Sequence, residues 1–146
     1  IIKKGKKTKI HNSTKVFQAL RIFVNKEISE LMYGLINSFK ILPIGGMIIV
    51  ITFHSIEDKI VKFFFKNYSQ KKNSSRYLPD NIQTEKLFNL FKKKHLIPSE
   101  KELKENLSSR SAKMRCAVKV KNSNNFEDFF RKFEYLIDVE NLSKEL

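Results

Sequence analysis

Cysteine, glycine and histidine are scarce in this sequence of 146 residues, and each shortage limits what the protein can be. The single cysteine, Cys116, has no partner for an internal disulfide, so we expect a small core residue in a reducing compartment. The four glycines form no glycine-rich turn of the kind that binds nucleotides after a strand. The three histidines, His11, His54 and His95, stand too far apart to show the spacing of a metal site.

Long hydrophobic runs and acidic residues are also in short supply. No apolar run approaches the roughly 20 residues that span a bilayer, and no signal peptide is recognisable, so we expect a cytoplasmic protein. Fifteen acidic residues face 29 basic ones, which gives a net charge of +14. This excess favours a polyanionic partner, with nucleic acid as the leading candidate and an anionic membrane surface as the alternative.

The hydrophobic content of 41% is typical of a folded protein, and the length fits about one domain. The chain begins with Ile1 rather than Met, and we therefore expect it to derive from a longer parent protein. Residues 1–12 form a lysine-rich segment, which fits either a solvated tail or a non-specific phosphate contact.

The most informative stretch is residues 45–58. Four β-branched residues at 48–51 predict a strand buried on both faces, as in a parallel sheet covered by helices. Ser55 and Asp58 have the spacing of a capping box that opens a helix. Ligands of open α/β sheets bind where strands end and helices begin. The polar residues there are therefore candidate site residues, with a solvated helix cap as the alternative: Thr52, His54, Ser55, Glu57 and Asp58.

Residues 13–39 have the period of one long helix. Its apolar stripe, which we expect to pack on the sheet, consists of Phe17, Leu20, Val24, Ile28, Leu31, Leu35 and Phe39. A second face carries Thr14, Gln18, Arg21 and Asn25. Glutamine, arginine and asparagine hydrogen-bond a base edge or a phosphate with fixed geometry, so this face is either an RNA contact or a solvated surface.

After the strand, the pattern predicts a second helix from about residue 56, whose lysines 59, 62 and 66 form a solvated face with some attraction for RNA. Residues 69–83 read as a basic loop. The stretch 87–97 is ambiguous between strand and helix; we favour a strand at 93–97 that pairs with 114–120. Ser99 and Glu102 predict a short capped helix.

The loop of residues 106–115 brings Arg110, Lys113 and Arg115 together with hydroxyl side chains, which suits phosphate or carboxylate binding or a plain basic connection. Beyond residue 120 a further apolar face predicts a helix that docks on the body of the domain: Phe126, Phe129, Phe130, Phe133, Leu136 and Ile137.

Three segments resemble the signatures of one enzyme family. Residues 51–62, I-T-F-H-S-I-E-D-K-I-V-K, resemble its pattern (I/V)-S-F-H-S-L-E-D-R-I-V-K. Residues 11–27 resemble H-P-A-T-R-T-F-Q-A-L-R-I-x-V-N-x-E, and residues 98–117 resemble P-x-x-x-E-x-x-x-N-P-R-A-R-S-A-K-L-R-x-A, with Asn12 and Leu107 in place of prolines. The sequence therefore resembles the bacterial MraW/RsmH family of S-adenosylmethionine-dependent 16S ribosomal RNA cytosine-N4 methyltransferases.

The resemblance implies an α/β fold, the C-terminal half of a Rossmann-like class I methyltransferase. This half would contain a buried parallel strand, flanking helices, an antiparallel edge strand pair and an added C-terminal helix. We expect residues 13–121 to be methyltransferase domain and residues 122–146 to be a helical extension. The family's glycine-rich turn lies in its N-terminal half, so S-adenosyl-L-methionine is expected to bind mainly outside this chain. The implied target is the cytosine customarily numbered 1402.

The resemblance also implies residue roles. His54, Ser55, Glu57 and Asp58 are expected near the target base. The expected RNA contacts are Gln18, Arg21, Asn25, Arg110 and Arg115. No residue of this chain is assigned to a metal or to the cofactor, and the partner is 16S rRNA in the small ribosomal subunit. The alternative is a non-catalytic basic RNA-binding or ribosome-associated module.

Overall fold

The computed structural model describes residues 12–70 and 86–142, so the predicted loop at 69–83 and the lysine-rich segment fall almost wholly outside it. The described elements are, in chain order, α1 Asn12–Asn25, α2 Glu27–Ile41, β1 Met47–Thr52, α3 Ser55–Ser69, β2 Phe88–Leu90, α4 Glu100–Glu105, a 3-10 helix Leu107–Ser111, β3 Lys113–Lys119 and α5 Glu127–Asn141. No helix within these two ranges has the length and apolarity to cross a membrane.

The three strands form one antiparallel sheet in the order β1-β3-β2. The prediction of a strand near 114–120 is confirmed by β3, but its predicted partner at 93–97 is wrong. That stretch contributes a single bridge, from Leu96 to Met114, and the paired strand is β2. Burial explains the shift, because Phe88 is fully buried against other aromatic rings while the lysines that follow Phe91 are exposed.

The expectation that β1 is a parallel strand buried on both faces is wrong for the described residues. β1 pairs antiparallel with β3, and its side chains alternate between core and solvent. Ile48 and Thr52 are buried, whereas Ile49 and Ile51 are 58% and 55% exposed. The apolar run is therefore covered by helices on one face only. Gly45, with a φ of 88°, makes the turn that leads into the strand.

The single helix predicted for residues 13–39 is also wrong, because the chain breaks at Lys26 into α1 and α2. Lys26 adopts a left-handed conformation with a φ of 52°. The N-terminal part of the expected stripe does not pack on the sheet, since Phe17 and Val24 are each 71% exposed and Leu20 is exposed as well. In α2 the stripe residues Ile28, Leu35 and Phe39 are buried, as predicted, and Leu31 is partly buried.

A carboxylate from the other end of the chain stabilises this break. Glu140 in α5 is buried and accepts hydrogen bonds from the backbone N–H groups of Ile28 (2.8 Å) and Ser29 (3.0 Å) and from the Ser29 hydroxyl. Its negative charge therefore caps the N-terminus of α2, where the helix dipole favours an anion. The start of α2 is thus fixed by a residue 112 positions away.

We expect Glu140→Gln to lower the free energy of unfolding by about 2 kcal/mol, because the bonds to a charged acceptor become bonds to a neutral one and the amide group leaves a donor without a partner. Urea denaturation measures the change. Glu134→Gln, an exposed position on the same helix, is the matched control and should have almost no effect. Equal stability of the two variants would contradict the capping role.

The core is an aromatic cluster between the sheet and helices α2, α3 and α5. Phe64 lies at its centre, with ring contacts to five other aromatic residues. Phe129 and Phe133 of α5 are buried in it, so the predicted C-terminal helix forms and packs on the body of the domain. Lys119 is buried as well, and its ammonium group donates to the carbonyls of Phe39 and Leu42 at the end of α2. Cys116 is a buried core residue, as predicted.

Candidate active site

The candidate site lies at the turn between β1 and α3. A capping box opens α3, as predicted, but one residue earlier: His54 is the N-cap and Glu57 its partner, rather than Ser55 and Asp58. The Nδ1 atom of His54 accepts from the Glu57 N–H, and a carboxylate oxygen of Glu57 accepts from the N–H groups of Phe53 (3.0 Å) and His54. The corner is therefore held rigidly by its own side chains.

Glu27, the first residue of α2, joins this corner to the polar face of α1. Its carboxylate oxygens accept from Nε (2.7 Å) and Nη2 (3.1 Å) of Arg21, and one of them lies 3.4 Å from Nδ2 of Asn25. On its other side, Glu27 Oε2 lies 4.0 Å from Nε2 of His54, which in turn is 2.9 Å from Glu57 Oε1. Arg21, Glu27, His54 and Glu57 thus form one network.

Within this network, Arg21 and Glu27 stabilise each other's charged forms. The hydrogen bond and charge of Arg21 lower the pKa of the Glu27 carboxyl despite some burial, and Glu27 in turn raises the pKa of Arg21. Because Nδ1 of His54 accepts a hydrogen bond, a neutral His54 carries its proton on Nε2, facing the two carboxylates. The network therefore presents two carboxylates and a proton-bearing ring at one corner.

Asp58 links the same turn to β3. Its Oδ1 accepts from Nε of Arg115 at 2.8 Å, and its Oδ2 lies 3.4 Å from Nζ of Lys113. Burial alone would raise the pKa of the Asp58 carboxyl, but Arg115 and Lys113 together outweigh it, so this pKa is lowered. Arg115 Nη2 also lies 3.5 Å from Nδ1 of His95.

We expect Arg115→Met to raise the pKa of the Asp58 carboxyl, because burial then acts with only Lys113 opposing it. A group whose folded pKa is lowered stabilises the fold above its unfolded pKa, and this stability is lost as the pH falls through the folded value. Acid denaturation of the variant should therefore depend less on this carboxyl. NMR titration of the Asp58 carboxyl carbon tests the shift. Lys101→Met is the control, and an unchanged Asp58 pKa in R115M would contradict the assignment.

The structure brings six of the nine proposed site residues into two linked groups. Arg21 and Asn25 meet Glu27 beside His54 and Glu57, and Asp58 pairs with Arg115. The other three are not part of either group: Ser55 and Arg110 are exposed and Gln18 is partly buried, and no hydrogen bond or ion pair of their side chains is seen within residues 12–70 and 86–142.

The sequence predicted no site role for Glu27, and it placed Lys113 only in a basic loop suited to phosphate or carboxylate binding. Glu27 ends the family-like segment of residues 11–27, so a signal was present, but no role was predicted for its side chain. Its importance comes from the break at Lys26, which turns it back toward Arg21. Lys113 lies at the start of β3 and reaches Asp58 only because β1 and β3 are neighbours.

Among the described residues, the one cluster of potential metal ligands is Glu27, His54 and Glu57, whose ligand atoms lie within 4.8 Å of one another. Arg21 already occupies both oxygens of Glu27, so a cation would have to displace this pair. No cofactor-type turn is present here either, since Gly34 lies in α2 and the Gly45-Gly46 turn precedes β1 rather than following a strand.

Comparison with known proteins shows which family the chain resembles in sequence. Residues 1–120 match the model of the MraW methylase family. The chain is 46% identical over 113 residues to ribosomal RNA small subunit methyltransferase H of Sinorhizobium fredii, covering 77% of this chain and 33% of that protein. The proteins of the same name from Bradyrhizobium diazoefficiens and Rickettsia prowazekii are 39% and 43% identical, with 89% and 79% of this chain and 40% and 39% of those proteins covered.

The chain thus spans between a third and two fifths of the length of these relatives. The matched region contains α1 to β3, and so includes both groups of site residues. A family model that covers most of the chain, together with several relatives near 40% identity, is sufficient to assign the chain to a family. The chain belongs to the MraW methylase family.

Proposed function

We propose that this chain is the substrate-side portion of an S-adenosylmethionine-dependent methyltransferase that modifies N4 of a cytosine, customarily 1402, in 16S ribosomal RNA. The observation that carries the proposal is the network in which Glu27 joins the arginine-bearing helix α1 to the corner of His54 and Glu57. RNA-binding groups and potential proton-handling groups are thereby held side by side. The names of the relatives support an RNA substrate of the small subunit.

The chemistry of the target explains why such a corner is useful. The exocyclic amine of cytosine is a poor nucleophile, because its lone pair is delocalised into the ring, and it gains positive charge as it is alkylated. The carboxylates of Glu57 and Glu27 would stabilise that charge, and the Glu57 carboxylate would accept the proton that N4 loses on methylation, while His54 keeps its own proton at Nε2 between them. Phe53, exposed beside the corner, offers a surface for the extruded base.

We propose that the methyl donor is held mainly by the part of the family's domain that this chain does not match, because the chain spans only 33% and 40% of the length of two of its relatives. The exposed face of β1 is where such a segment would dock, because its apolar side chains lack a covering layer and one edge of β1 has no strand partner in the described sheet. The relatives contain enough additional chain to supply that layer.

Recombination tests the proposal. The chain is mixed with the part of the Bradyrhizobium diazoefficiens relative that it does not match, here called the complementary portion. Transfer of radioactive methyl groups to small ribosomal subunits is then measured, and the modified nucleotide is mapped by mass spectrometry. We expect N4-methylcytosine only when both parts are present. Stable assembly of the two parts without methyl transfer would contradict the proposal.

The double variant Ile49→Asp/Ile51→Asp is expected to abolish recombined activity, with a loss of at least ~100-fold in association with the complementary portion, because two charges enter an apolar interface. Fluorescence titration of the two parts measures the affinity. Tyr135→Asp/Val139→Asp, on the exposed side of α5, is the control and should assemble normally. Normal assembly of I49D/I51D would place the interface elsewhere.

The charge of +14 favours a second candidate, a non-catalytic RNA-binding or ribosome-associated module. Such a module would bind small subunits without needing any second segment. It predicts that the complementary portion adds neither affinity for the chain nor methyl transfer, which is the opposite of the outcome expected above.

A further inference from the structure

A groove of about 560 Å³ lies between α3 and the segment that contains β2, and its charged residues are all basic. The cations that line it are Lys62, Lys66, Lys86, Lys92, Lys93 and Arg115. No carboxylate lines the groove in the described part of the chain. Ser69, Gln70 and Asn89 add hydroxyl and amide groups, which are typical partners of phosphate oxygens.

The five lysines of this basic groove have no carboxylate partner within the described ranges. None of them has a carboxylate within 4.0 Å in the described ranges, whereas the acidic residues of the nearby corner are paired with arginine, lysine or histidine. Like charges held together in one groove repel each other, and the repulsion is relieved when a polyanion binds and counterions are released.

Arg115 connects the basic groove to the candidate active site. It lines the groove and at the same time donates to Asp58 in the first turn of α3, next to Glu57. A strand whose backbone lies in the groove would therefore run toward the corner at which the target base is expected. Arg115 thus links the lining of the groove to the helix turn that carries Glu57 and Asp58.

The apolar groups of the basic groove do not offer a stacking surface for bases. Phe65 and Cys116 line it, but both are buried, so Phe65 cannot present a ring face to a ligand. Single-stranded nucleic acid is bound either by aromatic stacking or by cationic contacts along the backbone. The composition of this groove fits the second mode, which does not depend on base sequence.

We propose that the basic groove binds the phosphodiester backbone of the ribosomal RNA strand that flanks the target cytidine. The inference rests on the proposed function, because the direction of the strand is set by the corner of His54 and Glu57. It assigns to α3 and the β2 segment a role that differs from that of the corner: they supply affinity and register, and the corner receives the base.

The test is the binding of the full 146-residue chain to a fluorescently labelled single-stranded RNA, followed by anisotropy at several salt concentrations. The groove variant is Lys62→Ala/Lys66→Ala/Lys93→Ala. The control is Lys40→Ala/Lys104→Ala/Lys132→Ala, which removes the same charge from exposed sites outside the groove. All six lysines are exposed, so both variants should fold, and melting curves verify this.

We expect the groove variant to bind the RNA at least ~10-fold more weakly than the wild type. The slope of log K against log salt should fall in magnitude by about 2, because each phosphate contact on a single strand contributes roughly 0.7 to that slope. The control should stay within about 3-fold of the wild type. Equal losses in the two variants, or none in the groove variant, would overturn the proposal.

Two further ligands identify what the groove recognises. The first is an RNA analogue of the same sequence with a neutral methylphosphonate backbone. Wild type and groove variant should bind this analogue with the same affinity. A persistent difference in affinity would mean that the groove recognises bases and would overturn the proposal.

The second ligand is adenosine monophosphate, which should not displace the RNA. Displacement at low concentration would indicate a mononucleotide pocket and would overturn the proposal. None of these measurements requires methyl transfer, so they stand or fail separately from the recombination experiment.

Discussion

Glu27→Ala is expected to lower the rate of methyl transfer by the recombined enzyme at least ~100-fold, although Glu27 is neither in the helix of Arg21 nor in the turn of His54. Its carboxylate contacts both, with Arg21 Nε at 2.7 Å and His54 Nε2 at 4.0 Å. Without it, the guanidinium of Arg21 loses its hydrogen-bond partner, and the face of α1 proposed to bind RNA is no longer fixed relative to the corner.

A positioning role has a kinetic signature that a purely structural role does not. The pair of Arg21 and Glu27 is partly exposed, so it should contribute little to the free energy of unfolding. We therefore expect Glu27→Ala to lower kcat while leaving the melting temperature nearly unchanged. Glu27→Gln should restore part of kcat, because its amide oxygen keeps one hydrogen-bond acceptor for Arg21. Glu30→Ala, one turn further along α2, is the control. A rate for E27A within about 3-fold of wild type would contradict the role of the network.

Phe64→Ala should have the largest effect on stability, a loss of about 4 kcal/mol in the free energy of unfolding. The ring is fully buried and contacts the rings of Phe65, Tyr68, Phe88, Phe126 and Phe129. The substitution leaves a cavity at the point where α3, β2 and α5 meet. Small domains have a total free energy of unfolding of only about 5–15 kcal/mol, so this substitution would remove a large part of it.

Urea denaturation of the variant provides the measurement. Phe91→Ala removes the same side chain at a position that is 60% exposed, and we expect it to cost less than about 1 kcal/mol. Similar losses in F64A and F91A would mean that the aromatic cluster is not the centre of the core.

The parts of the fold that were predicted correctly are those encoded locally. The helical period after residue 55, the strand at β3 and the cap of α4 by Ser99, whose hydroxyl accepts from the Glu102 N–H, depend on neighbours within a few residues. Periodicity and capping signals report such contacts directly. The short apolar stretch of β2 was ambiguous because its pairing depends on the burial of Phe88 rather than on its own pattern.

The parts that were missed depend on distant contacts. The apolar stripe of residues 13–39 continues across Lys26, and nothing local marks the break; the cap that Glu140 provides comes from the other end of the chain. The exposure of one face of β1 could not be predicted either. An apolar run indicates that a strand has side chains to bury, but it does not show whether another layer of the protein covers them.

The sequence indicated which segments carry the candidate residues, but not which of their atoms contact one another. The polar turn after β1 and the arginine-bearing face of α1 do lie side by side. The identity of the cap depended on which carboxylate folds back, and His54 with Glu57 competes successfully against Ser55 with Asp58 because Asp58 is drawn toward Arg115 and Lys113. The position of the neighbouring strand β3 therefore decides which residue caps α3, and the spacing of residues in the sequence does not show that position.

The most direct test of the account asks which residues face the target base. A small-subunit RNA fragment with 5-bromocytidine at the target position is bound to the recombined enzyme and irradiated, and the crosslinked peptide is identified by mass spectrometry. The account predicts crosslinks to residues 53–58, with neighbouring RNA positions reaching the face of α1 that carries Arg21 and Asn25. Crosslinks confined to α4 or α5, with none at residues 53–58, would contradict it.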